Sequence, residues 1–113
     1  MSYYSQVYID LFVKTKRAEQ FRSELRNLEA RTEDWILCNA RDLQVDEGGG
    51  LYYEDTFGKH YKTGEFAIWL KDFVEAGRIL YVGESVEFWG YEFDGKARVF
   101  PLVYVEKRGD ELR

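Results

Sequence analysis

Residues 86–93 and 96–106 read as two alternating strand runs, with a mainly aliphatic and a mainly aromatic face, separated once, at Asp94-Gly95. Period-two patterning in Val, Phe, Tyr and Trp is characteristic of β-strands, and an Asp-Gly pair between two such runs favours a two-residue hairpin turn. This hairpin constrains the chain more than any other feature, because a turn of known length sets a register. With two loop residues, Phe93 opposes Lys96 and every later pair follows. One face then carries Val86, Phe88, Gly90, Val99, Pro101, Val103 and Val105. The other carries Trp89, Tyr91, Phe93, Arg98, Phe100, Leu102 and Tyr104. The aliphatic face is expected in the core, and the aromatic face against a second layer or a partner. Pro101 lacks an amide donor, which places the second arm near a sheet boundary.

Elsewhere the pattern changes period. Val7, Ile9, Leu11 and Val13 alternate with Tyr8, Asp10, Phe12 and Lys14, a strand whose second face is amphipathic. Thr15 is placed to cap a following helix, and Ala18, Phe21, Leu25 and Leu28 form one apolar stripe, predicting a helix to about Arg31. Residues 35–45 read as a second strand, and Gly48-Gly49-Gly50 as a loose turn. Leu51-Tyr52-Tyr53 reads as a short strand or hairpin arm. No regular element is expected over residues 55–64. Residues 65–70 suit a strand, 72–76 a short helix stopped by Gly77, and 79–82 another strand. The sum is an α+β chain: an antiparallel-rich sheet with two helices on one face, in a ferredoxin-like arrangement plus a C-terminal β-hairpin. Residues 1–113 are expected to form a single domain, with 107–113 a frayed, charged tail.

Sixteen Lys and Arg against 21 Asp and Glu give a net charge of −5, which repels a phosphate backbone. The basic residues Lys14, Lys16, Arg17, Arg22 and Arg26 are interleaved with Glu19, Glu24 and Glu29, as on a solvated helix face. Cys38 is the only cysteine, so no internal disulfide forms and a reducing compartment is expected. Met1-Ser2-Tyr3-Tyr4 does not resemble a secretory signal, no run is long enough to span a membrane, and the expected location is cytoplasmic.

Catalytic sets are sparse. His60 is the only histidine, near Glu54, Asp55 and Tyr61, where a His60–Asp55 pair could act as a base. No nucleophile motif accompanies it. One His and one Cys far apart do not make a zinc set, and the carboxylates lack the spacing of a calcium loop. The glycine triplet lacks the Lys-Ser or Lys-Thr ending of a phosphate loop. No catalytic residue, cofactor or metal is therefore expected.

Nine Tyr, eight Phe and three Trp are many rings for so short a chain, and rings beside cations resemble interface centres. Trp89, Tyr91, Phe93, Arg98 and Phe100 are the candidate partner-binding residues. Asp42, Asp46, Glu47, Glu54 and Asp55 are candidates for steering a basic partner. The function expected is a non-enzymatic protein-interaction module, such as a small acidic inhibitor of the toxin-immunity or phage anti-defence type acting by surface occlusion, with a protein partner or a second copy as its target. Two alternatives follow from other residues. One is a small-ligand protein or enzyme with a pocket around His60. The other is base stacking of single-stranded nucleic acid on an aromatic sheet face extended by Tyr8 and Phe12, which the net acidity disfavours.

Overall fold

The computed structural model describes residues 5–29, 43–58, 63–85, 87–104 and 107–113. The chain is an α+β fold in which β1 (Ser5–Val13), α1 (Ala18–Glu29), β2 (Gly50–Gly58), α2 (Thr63–Leu70), β3 (Val74–Gly83), β4 (Phe88–Phe93) and β5 (Val99–Tyr104) follow in order. A two-residue strand, β6 (Lys107–Arg108), ends it. The strands lie in the spatial order β2-β1-β3-β4-β5-β6, and each pair of neighbours is antiparallel.

Because β2 and β3 both run against β1, they are parallel to one another, with β1 between them and α2 linking them. This is the split βαβ unit of a ferredoxin-like sheet. The other half departs from that pattern, since β1 and β2, joined through α1, pair directly. From β3 onward the chain is a meander.

Alternation on β1 puts Val7, Ile9, Leu11 and Val13 on one face, each at most 2% exposed. Leu51, Ile79, Tyr81, Phe93 and Val99 continue that face across the sheet. Both helices cover it. Phe21 and Leu25 come from α1, and Phe66, Ala67 and Leu70 from α2. Between the helices Trp69 lies 5.7 Å from Phe21, 6.2 Å from Phe66 and 5.4 Å from Phe73, centroid to centroid. The guanidinium of Arg17 sits 4.9 Å over the Phe73 ring.

Four local expectations are corrected. Residues 65–70 are helical rather than extended: Phe66, Ala67 and Leu70 share one buried helix face, and a short apolar run does not reveal its period. Residues 72–76 are not a helix, because β3 begins at Val74 after a turn. Gly77, expected to stop that helix, instead lies inside β3 at φ 118°, where a side chain would strike the Asp10 carbonyl of β1. The helix cap position falls on Lys14, not Thr15, with no side-chain bond, and a 3-10 turn over Thr15–Arg17 leads into α1.

The glycine triplet is also not loose. Gly49 has φ 87°, and a Cβ there would lie 2.8 Å from the Val13 carbonyl oxygen, while the Gly50 amide donates to the Asp46 carboxylate at 2.7 Å. The C-terminal segment expected to fray is tied down: the Gly109 amide donates to Pro101 and the Leu112 amide to Val99, both at 2.7 Å. Among the described residues, 43–46 form no strand. The rest of the expected second strand, with Cys38, lies outside the described residues, as do Val86 and Val105.

Candidate interaction surface

The hairpin of β4 and β5 decides which rings face outward. Phe93 pairs with Val99, not Lys96, so residues 94–98 form the loop. Asp94 organises it. One carboxylate oxygen accepts the Lys96 amide at 2.8 Å and the other accepts the Arg98 guanidinium at 2.7 Å. Gly95 and Ala97 take positive φ, 78° and 57°. Desolvation alone would raise the Asp94 carboxyl, but the Lys96 amide and the Arg98 charge outweigh it and hold the group below the usual carboxylate range. A folded-state value below the unfolded one means that this stabilisation is complete above the unfolded carboxylate range and fades as pH falls through it.

Three extra loop residues are an odd number, so β4 is turned over relative to the expected register. Trp89, Tyr91 and Phe93 lie on the helix-covered face. Trp89 stacks on buried Tyr81 at 5.2 Å with planes 6° apart. Its indole N–H donates to the Thr63 hydroxyl at 3.2 Å, and that hydroxyl bonds the Tyr91 hydroxyl at 2.8 Å. Trp89 and Tyr91 thus anchor the start of α2. Burial pushes the Tyr81 phenol up, and Tyr91 adds to the shift. Phe100 and Arg98, in contrast, do belong to the other side, as expected.

Among the described residues, no helix lies over that other side. Phe12, Tyr52 and Phe88 are 55%, 69% and 51% exposed. Around them stand the half-buried Tyr8, Leu80 and Phe100, with charges set between the rings, while Leu102 on the same side is only 8% exposed. Arg78 approaches Glu92 at 3.9 Å across β3 and β4. Arg98 and Arg108 hold their guanidinium groups 5.6 and 4.5 Å from the Phe100 centroid, a cation–π arrangement. The Tyr52 hydroxyl donates to Glu54 at 3.0 Å, and this bond, with the Glu54 charge, raises the phenol. Sequence reasoning placed Phe88 in the core and did not select Tyr52, Arg78 or Arg108. The one clue available was the ring-and-charge alternation of Tyr8, Asp10 and Phe12.

Among the described residues, the acidic side chains of Asp46, Glu47 and Glu54 do not form one cluster. Asp46 is engaged in its turn, Glu47 is exposed at the turn's tip, and Glu54 points from the open face. Asp55 pairs through its backbone with Val7. Asp42, His60 and Tyr61 lie outside the described residues, and with them the expected pocket around His60. Among the described residues no three His, Cys, Asp or Glu side chains gather to hold a metal ion, and no helix is long and apolar enough to cross a membrane. No protein-family model, curated protein or solved structure matches this chain.

Proposed function

We propose that the chain is a non-enzymatic protein-interaction module that works by laying the open face of its sheet over a partner. The observation that carries this reading is the asymmetry of the sheet. Two helices bury one face, while the other leaves Phe12, Tyr52 and Phe88 more than half exposed. Large apolar side chains left exposed on a sheet face mark contact surfaces in soluble domains, and rings with interspersed Arg are the composition of energetically dominant interface residues. Such a face acts by occlusion and needs no reactive group, which suits the inhibitor class expected from size and acidity.

Base stacking on the same rings is the weaker reading. Asp10, Glu54 and Glu92 stand among the rings and repel a phosphate backbone.

The double substitution Tyr52→Ala with Phe88→Ala tests the proposal. Both side chains are exposed, so the denaturation midpoint should stay at the wild-type value, within about 0.5 kcal/mol per site. A protein retained by immobilised wild-type chain should be lost by the folded variant. Equal retention by both would contradict the proposal.

A further inference from the structure

We propose that the open face is the interface of a two-fold dimer: two copies of this chain packed sheet to sheet, with the axis parallel to the strands and passing between β3 and β4. This rests on the open face being a protein-contact surface and names its occupant.

The charges select the partner. Asp10, Arg78, Glu92 and Phe100 are register partners on β1, β3, β4 and β5, so they form one row straight across the sheet. Phe100 bears Arg98 and Arg108 over its ring. Read along the row, the signs are negative, positive, negative, positive. A neighbouring row runs from Glu54 through Tyr8, Leu80 and Gly90 to Leu102 and Arg108. It is negative at one end, apolar in the middle and positive at the other.

Both rows are complementary to their own reverse. A two-fold axis parallel to the strands reverses strand order and keeps position along the strands. It therefore sets β3 over the partner's β4, β1 over the partner's β5 and β2 over the partner's β6. Arg78 then faces the partner's Glu92, Asp10 faces the partner's Phe100 with its arginines, and Glu54 faces the partner's Arg108. By symmetry each contact occurs twice, as an isologous interface requires. An axis perpendicular to the strands would instead stack each strand on its own copy and, where it crossed either row, set like charge on like charge.

The area is adequate. Six strands about 4.8 Å apart span about 24 Å, and the face from the level of Phe12 to that of Phe88 covers about 20 Å along the strands, a projected area of about 500 Å². Side-chain relief brings this toward the ~800 Å² that each partner buries in a standard interface. Facing sheets align within about 30°, so the closest fit falls at the axis, where Arg78 and Glu92 sit.

The test uses two charge-reversed chains and light scattering over a concentration series. One carries Arg78→Glu with Arg108→Glu, making the face wholly acidic apart from Arg98. The other carries Asp10→Lys, Glu54→Lys and Glu92→Lys. Wild type should show the mass of two chains. Each variant alone should self-associate at least ~10-fold more weakly, because the pairs at Glu92 and Glu54 become repulsive in the first and every facing pair does so in the second. An equimolar mixture should restore a one-to-one dimer, which also shows that both variants fold. The milder pair Glu54→Lys and Arg108→Glu should behave the same way with smaller shifts. A wild type that stays monomeric throughout overturns the dimer, while loss of a foreign partner in Tyr52→Ala with Phe88→Ala would still support the contact surface. A wild-type dimer indifferent to every one of these charge reversals overturns the open-face dimer, and the contact surface then stands or falls on partner retention by Tyr52→Ala with Phe88→Ala.

Discussion

Gly77→Ala is expected to lower folding free energy by more than about 3 kcal/mol, seen as a reduced midpoint in urea denaturation. Gly77 lies in β3 at φ 118°, a region that a residue with a Cβ enters only under strain. The added carbon would also strike the Asp10 carbonyl and lie 2.8 Å from the Leu11 Cα, both on the neighbouring strand β1. Those atoms belong to the central pairing of the sheet and cannot withdraw without breaking the ladder between β1 and β3. For a domain whose total stability is on the order of 5–15 kcal/mol, such a loss is a large fraction. If Gly77 merely ended a helix, the same substitution would cost about 1 kcal/mol. A loss that small would show that β3 does not run through this position.

Phe21→Ala should cost about 3–5 kcal/mol. Phe21 is fully buried and its ring lies 5.4 Å from Phe73 and 5.7 Å from Trp69, so it joins α1 to the α2 side of the core. Truncation removes its buried area and leaves a cavity that neighbours held by both helices cannot fill. Phe21→Leu keeps most of the volume and should cost under about 1.5 kcal/mol. Equal losses for Ala and Leu would mean that α1 docks by something other than this ring.

The first strand and the first helix were the legible part. Alternation on β1 predicted its buried face residue by residue, and the period of Ala18, Phe21 and Leu25 predicted α1, because one-sided burial writes its period into the sequence. The helix at Thr63–Leu70 was not legible. Apolar on nearly every side, it has no period to read, and its identity comes from packing against Phe21, Tyr91 and the sheet. Gly77 was misread for a related reason. A glycine required by the close approach of another strand looks the same in sequence as one that ends a helix.

The interaction surface was half legible. Asp94-Gly95 correctly marked the turn, but its length depends on the Asp94 carboxylate holding both Lys96 and Arg98. That bonding adds three residues to the loop and reverses β4. Phe100 and Arg98 stayed on the expected side, whereas Trp89, Tyr91 and Phe93 exchanged places with Phe88. One turn geometry therefore decides which rings are available to a partner.

The most direct measurement compares two adjacent residues of β4. Urea denaturation of Phe88→Ala and Trp89→Ala, with the solution mass of each sample recorded so that association is read separately from folding, reports which side is covered. The outward Phe88 should cost no more than about 0.5 kcal/mol, and Trp89, stacked on Tyr81 and bonded to Thr63, about 2–3 kcal/mol. The reverse order, with Phe88→Ala the more damaging in a monomeric sample, would put the helices on the other face and contradict the assignment of the interaction surface.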